Sequence, residues 1–310
     1  MTIHVLVDYS FLYYKYKFQL ESGKMRRLST RMEWNGEVIE KDISQIYYSI
    51  REIESFRREW ENQGHTVVMS VCFDMPPKRK QIETAEAVKY KSNRGGKLTE
   101  EDFENIRFVQ SLLDQAGYNT YRITDFEADD IVNQILSLYK DKFGYNVIYT
   151  PDADLLVNIC DCVGAKRYKT GKGYSAVILE TFSDYLGTEL KCNMPFNALM
   201  LYKCTVGDKS DCIDGIKKFG PAAFNKLVAN FNTLGIDWSK CNDYNLVGHL
   251  LSMAAAYGFL SEDQYKQAKN SLDLVKPEFI PVELLPMPTK TSSEQLRAQA
   301  YLPYGMKSLV

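Results

Sequence analysis

Histidine is scarce in this chain: three occur in 310 residues, His4, His65 and His249, and they lie far apart. That scarcity argues against a histidine-based metal centre and against a Ser-His-Asp triad. The seven cysteines (72, 160, 162, 192, 204, 212 and 241) are odd in number, scattered, and form no C-x-x-C pair. Neither a disulfide framework nor a zinc site is therefore expected; reduced, mostly buried thiols are. No apolar run approaches the roughly 18 residues that a membrane span requires, so no membrane partner is expected. The opening stretch Met1-Thr2-Ile3-His4-Val5-Leu6-Val7-Asp8 has no basic segment ahead of its apolar run. This argues against a secretory signal and for a first β-strand in a cytoplasmic protein. A net charge of −2 shows no overall excess of either sign. Any chemistry must rest on groups other than His and Cys.

What is present is the balance of a soluble globular protein, 45% hydrophobic and 25% charged. The length admits one large domain or a core with a smaller C-terminal part. Three short apolar runs each lead into an acid: Ile3–Val7 before Asp8, Val67–Phe73 before Asp74, and Val147–Thr150 before Asp152. They read as buried parallel strands. Between them, residues 43–61, 100–115 (closed by Gly117) and 128–139 have helical periodicity. The alternation predicts an α/β fold with a mostly parallel sheet, whose functional crevice lies at the carboxyl ends of the strands, where the three acids sit. Asn35-Gly36 predicts a hairpin within 28–41. From about residue 183 helices dominate. Four prolines (277, 281, 286, 288) predict an extended tail, with a short helix over 293–300.

Acidic clusters carry the chemistry. Phe126-Glu127-Ala128-Asp129-Asp130 places three carboxylates in four residues at a helix start. One acid satisfies a cap; three repel one another unless a cation is bound. Asp152-Ala153-Asp154 follows the third strand, where a turn would use one acid as N-cap. Gly207-Asp208-Lys209-Ser210-Asp211 adds two more, without the residue order of a calcium-binding EF-hand loop. Together Asp8, Asp74, Glu127, Asp129, Asp130, Asp152, Asp154, Asp208 and Asp211 are candidate metal ligands. Hard oxygen donors point to Mg²⁺, with Mn²⁺ able to substitute, and the number suits two ions. Two ions about 3.5–4 Å apart activate water and steady a leaving oxygen without a protein nucleophile. Setting these nine aside leaves 31 acidic residues against 38 basic ones, an acidic pocket on a basic body.

The order of motifs resembles the 5′-nuclease, or flap endonuclease, family. The motifs are Asp8; Phe73-Asp74 with Pro76 and Arg79; Tyr90-Lys91-Ser92-Asn93-Arg94; Glu127-Ala128-Asp129-Asp130; Asp152-Ala153-Asp154-Leu155-Leu156; and Gly207-Asp208-Lys209-Ser210-Asp211. Bacterial DNA polymerase I nuclease domains and phage 5′→3′ exonucleases, including the one called RNase H, belong to it. The resemblance implies a PIN-like α/β core over 1–182 with a helical arch or clamp around 78–107. It implies a helical region over 183–276 with a helix-hairpin-helix element, followed by the tail, 277–310. It further implies that Asp8, Asp74, Glu127, Asp129 and Asp130 form or support a first, catalytic metal site, and that Asp152, Asp154, Asp208 and Asp211 form or support a second. Lys91 and Arg94 would stand beside the scissile phosphate with Asp130 as a further catalytic group. The sequence departs from the family at Thr150-Pro151, where small polar or Gly residues are usual, and at Cys212, where Asn is frequent.

Apart from the family, the cation-dense stretch from Lys78 to Lys97, with Arg79, Lys91, Arg94 and the hinge pair Gly95-Gly96, begins four residues after Asp74 and reads as a phosphate-binding arm. Tyr90 is placed to stack on a base. Gly215-Ile216-Lys217-Lys218-Phe219-Gly220-Pro221, ahead of Lys226, reads as a glycine-bearing turn whose amides bind duplex phosphates; the family resemblance, which puts its helix-hairpin-helix here, further implies a monovalent cation at this turn. The aromatics Tyr9, Phe11, Tyr13, Tyr14, Tyr16 and Phe18 read as helix core rather than a stacking platform. Lys166–Lys172 reads as a solvated hairpin. The expected activity is 5′→3′ exonuclease and flap endonuclease on branched or nicked DNA, extending to RNA–DNA hybrids in primer removal. The expected state is a monomer whose tail docks on the core or meets a replication protein. The alternatives are a PIN-type single-strand RNase, which generally lacks the hairpin element, and a non-catalytic junction-binding protein, which would have lost several acids.

Overall fold

The computed structural model describes residues 1–34, 36–77, 98–190, 198–209, 211–238 and 244–310. The phosphate-binding arm predicted at 78–97, with Arg79, Tyr90, Lys91 and Arg94, lies outside the described residues. So do Cys192, Cys241 and Ser210.

The apolar N-terminal run forms β1 (Thr2–Asp8), with Ile3 to Val7 fully enclosed. It pairs in parallel with β4 (Thr66–Cys72) on one side and β6 (Tyr145–Thr150) on the other, so that Val5 faces both Met69 and Val147. Two-sided burial suits β-branched residues that pack on both faces. The six-stranded sheet runs β5-β4-β1-β6-β7-β8, where β5 is Asn119–Tyr121, β7 Val163–Lys169 and β8 Gly173–Val177. Only β8 is antiparallel. The basic run 166–172 therefore belongs to a β-hairpin at the sheet edge. A separate ribbon of β2 (Ser29–Trp34) and β3 (Glu37–Asp42) forms where the Asn35-Gly36 turn was predicted.

One sheet face is covered by α1 (Tyr9–Glu21), α2 (Ser44–Glu61) and α3 (Glu100–Gln115), and Ile46, Ile50, Ile53, Val109 and Leu112 pack there on Ile3, Val5 and Val7. A capping box starts α3: the Asp102 N–H donates to Thr99 Oγ1 at 3.2 Å and the Thr99 N–H to Asp102 Oδ2 at 2.7 Å. On the other face α4 (Ala128–Tyr139) contributes Ile131, Val132, Ile135 and Leu136. Their cluster runs on without a break into the helical region of α5 (Leu179–Leu190), α6 (Leu199–Val206), α7 (Pro221–Thr233), α8 (Tyr244–Ala256) and α9 (Glu262–Val275), through Phe182, Leu201, Phe224, Leu251 and Leu272. Sheet and helical region share one apolar core.

His4 sits in the middle of the sheet, fully buried, with Nε2 2.8 Å from Ser70 Oγ and Nδ1 3.1 Å from Asn146 Oδ1. Burial lowers its pKa to about 4 against the bond to Asn146, so the imidazole is neutral. The tail docks on the core. Tyr139 and Tyr121 donate their hydroxyls to the carbonyls of Leu285 and Pro286, each at 2.8 Å. Beyond it, α10 (Glu294–Tyr301) packs on α3, with Tyr301 fully buried and bonded to Glu54 at 2.9 Å. Enclosing a side chain of this size is worth about 1.5–3 kcal/mol. Gly117, at φ 84, permits the close approach: a Cβ there would lie 2.8 Å from Leu296 Cδ1.

Candidate active site

Strand ends bring the first acids together. Asp8 closes β1, is 8% exposed, and has Oδ2 3.5 Å from the hydroxyl of Thr150 at the end of β6. The departure from the family at Thr150 thus gives a hydroxyl that faces Asp8 and also accepts the Asp152 N–H at 2.9 Å. Asp74 follows β4, and its Oδ1 accepts the Ala128 N–H at 2.7 Å, so it satisfies a free amide of the first turn of α4. Glu127 is the buried N-cap of that helix. Asp130, 1% exposed, accepts the Glu127 N–H on Oδ2 at 3.1 Å and the Glu278 N–H on Oδ1 at 2.9 Å. It therefore joins the helix start to the tail. Asp8, Asp74, Glu127, Asp129 and Asp152 line one cleft of about 1500 Å³. Cys72 lies beneath it. Burial, then the charges of Asp8, Asp129 and Asp74, push its thiol well above the usual range, which leaves it protonated and unreactive.

The second group is built differently. Asp154 begins a short 3-10 turn, and its N–H donates to Asp152 Oδ1 at 2.9 Å, which links the two groups. Asp208 stands on, and Asp211 between, the strands of a two-residue ladder after α6 in which Asp208 faces Ile213 and Gly207 faces Asp214. The ladder packs so closely that a Cβ on Gly215 would lie 2.3 Å from the Val206 carbonyl carbon and 2.4 Å from the Gly207 nitrogen. Carboxylate oxygens of Asp154, Asp208 and Asp211 come within 4.8 Å of one another. Cys212 holds φ 57 in this loop, a left-handed conformation that Asn adopts more readily. Three carboxylates this close are a donor set for a hard divalent cation, the kind of ion that oxygen ligands hold.

Residues 4–178, over half of the chain, match the family model for the 5′-3′ exonuclease N-terminal resolvase-like domain. The chain belongs to this 5′-3′ exonuclease family. It is 33% identical to DNA polymerase I of Synechocystis sp. over 187 residues, which cover 59% of this chain and 18% of the polymerase. It is 27% identical to the 5′-3′ exonuclease of Bacillus subtilis over 164 residues, 53% of this chain and 52% of that protein. The chain thus matches about half or less of these relatives' lengths. Its fold is similar to the crystal structure of the bacteriophage T5 flap endonuclease in complex with DNA and metal ions. The TM-score is 0.53 at 16% identity, over 88% of this chain and 99% of that one.

Within this exonuclease-family fold, three features escaped the sequence reading. Arg122, directly after β5, lines the cleft beside Asp74; as a basic residue at a strand's carboxyl end it obeys the same rule that located the acids. The aromatics of α1 divide between two environments. Tyr9, Tyr13 and Tyr16 are core as expected, whereas Tyr14 and Phe18 are 45% and 61% exposed and line the cleft with Phe11. Helical periodicity turns that second face toward the acids. Lys203, 5% exposed on α6, donates to Asp208 Oδ2 at 2.7 Å and pairs with Asp154. Around the predicted duplex-binding turn, Lys217, Lys218 and Lys226 are exposed and Gly220 caps α7 ahead of Pro221. The expectation that the amides of this turn bind phosphates is corrected at three of them: the Ile216 N–H donates to the Thr205 carbonyl at 2.7 Å, the Lys217 N–H to Gln267 Oε1 at 2.9 Å and the Phe219 N–H to the Ile216 carbonyl at 2.9 Å.

Proposed function

We propose that this chain is a structure-selective 5′ nuclease that hydrolyses phosphodiesters of branched or nicked DNA, and of RNA–DNA hybrids in primer removal. The observation that carries the reading is the convergence of Asp8, Asp74, Glu127, Asp129 and Asp152 in one cleft beside the Asp154, Asp208 and Asp211 group. Asp8, Asp74, Glu127 and Asp129, supported by Asp130, would hold one Mg²⁺ or Mn²⁺ ion, and Asp154, Asp208 and Asp211, supported by Asp152, a second. When bound, the ions supply an activated water and charge for the leaving oxygen. Asp130 positions the helix start that carries Glu127 and Asp129. Arg122 offsets phosphate charge in the cleft, and Phe11, Tyr14 and Phe18 offer planar surfaces to unpaired bases.

By the family resemblance, Lys91 and Arg94 would stand beside the scissile phosphate, with Arg79 a further candidate there, and Tyr90 would stack on a base near the cut. The turn from Gly215 to Gly220, with Lys217, Lys218 and Lys226 and a monovalent cation, grips duplex without reading its sequence, so affinity falls with salt. The protein works as a cytoplasmic monomer, and its tail stabilises the core. A labelled 5′-flap duplex incubated with Mg²⁺, with EDTA, and with Asp74→Ala in place of the wild type tests the proposal. Metal-dependent cleavage at the junction or the 5′ end, lost in the variant, is expected. DNA bound but intact under Mg²⁺ and Mn²⁺ would sink the nuclease reading.

A further inference from the structure

Lys203 is an unusual resident of a carboxylate cluster. Every residue of α6 from Leu199 to Thr205 is buried, so the lysine stem is enclosed and its ammonium is delivered into the site rather than to solvent. A buried ammonium is costly unless paired, and here it has two partners that come from separate segments. Asp154 lies just past β6 and Asp208 just past α6, and both bond the same Nζ. These two acids belong, with Asp211, to the cluster whose oxygens lie within 4.8 Å of one another. The strongest attraction available to three such carboxylates is a cation among them, and the chain carries one in its own sequence.

We propose that Lys203 is an internal counter-ion of the second carboxylate cluster: it holds Asp154 and Asp208 together and competes with the divalent cation for their oxygens. The inference rests on the metallonuclease reading of the same cluster and adds an ordering to it. The strand-borne group of Asp8, Asp74, Glu127 and Asp129 binds its ion more tightly, and the cluster containing Lys203 fills only at higher ion concentration. A fixed positive charge at hydrogen-bond distance opposes an incoming dication by Coulomb repulsion and occupies oxygens that the ion would use. Lys203 is thus a positioning residue that acts through Asp154 and Asp208, and its removal alters ion binding directly.

Mn²⁺ binding to the full chain, followed by the electron paramagnetic resonance of free Mn²⁺, tests this in wild type, Lys203→Met and Lys203→Arg. The wild type is expected to show one tight and one weak class of site. Lys203→Met should tighten the weak class by about tenfold or more and leave the tight class unchanged. It should also melt at lower temperature than wild type in EDTA and gain more from added Mn²⁺. Lys203→Arg keeps the charge and should keep the weak class weak, which serves as the deciding measurement if the methionine variant does not fold. Two equally tight sites in the wild type, a weak class unchanged or lost in Lys203→Met, or a tightened one in Lys203→Arg would each overturn the proposal. If neither wild type nor Lys203→Met bound Mn²⁺ at all, the metallonuclease reading itself would fall, an outcome distinct from a change confined to the weak class.

Discussion

The two carboxylate groups sit side by side, yet they are assembled on different principles. The first stands on the ends of parallel strands: Asp8 on β1, Asp74 past β4, and Glu127 with Asp129 at a helix start that Asp74 and Asp130 secure through backbone amides. Its geometry is inherited from the sheet, so each acid is set by a rigid, buried neighbour. The second takes Asp154 from the turn past β6 and Asp208 and Asp211 from a loop between α6 and α7 that holds its shape through the contact of Gly207 with Gly215, and Lys203 of α6 pairs with two of its acids. A strand-end site is rigid because the core is. A loop site needs local devices: glycines for close approach and a cation for cohesion.

Substitutions separate the two. Asp74→Ala removes a carboxylate from the strand-borne group and should lower single-turnover cleavage of a 5′-flap substrate by about 10²–10³-fold with little change in DNA affinity. Near-wild-type cleavage would mean that this group is not the reacting centre. Gly215→Ala strikes the loop-borne group alone. Its Cβ would overlap the backbone of Thr205, Val206 and Gly207, and a loss of about 1–3 kcal/mol in denaturant unfolding is expected; an unchanged midpoint would show that the loop yields freely.

Acid should weaken the sheet. The folded-state pKa of His4, lowered to about 4, lies below the value near 6.5 of the unfolded chain, so the unfolded state takes up the proton first as pH falls. Stability present above pH 6.5 is therefore lost between 6.5 and 4, by about 2 kcal/mol at pH 5. Comparison of urea midpoints at pH 7 and 5, with His4→Gln as the control that should flatten the difference, checks the assignment. The smallest effect belongs to the loop: Cys212→Asn relieves a left-handed backbone at φ 57 and should stabilise by about 1 kcal/mol or less. A destabilised variant would show that the thiol's packing outweighs the backbone strain.

Much of the first group was legible from the order of residues. An apolar run that ends in an acid marks a parallel strand with its functional end exposed, and this holds for Asp8, Asp74 and Asp152. The helices predicted at 43–61, 100–115 and 128–139 appear as Ser44–Glu61, Glu100–Gln115 and Ala128–Tyr139, because caps and a 3.6-residue apolar period are local properties. In the sequence the exposed face of α1 looks like core, because six aromatics within ten residues overwhelm the periodicity that separates Tyr9, Tyr13 and Tyr16 from Tyr14 and Phe18. The tail's fate was equally hidden. Four prolines predict extended chain, but nothing local says that Tyr121, Tyr139 and Asn119 offer it hydrogen bonds.

By itself the sequence determined the α/β class, the strand-end placement of the acids and the oxygen character of the site, all of which follow from short-range patterning and from side-chain chemistry. Only the tertiary structure decided that Asp130 meets the backbone of Glu278, that Lys203 enters the cluster of Asp154 and Asp208, and that Arg122 faces the same cleft as Asp74. Those pairings join residues far apart in the chain. They arise when the sheet order and the shared core bring separate segments into contact, a choice that no single window of residues contains.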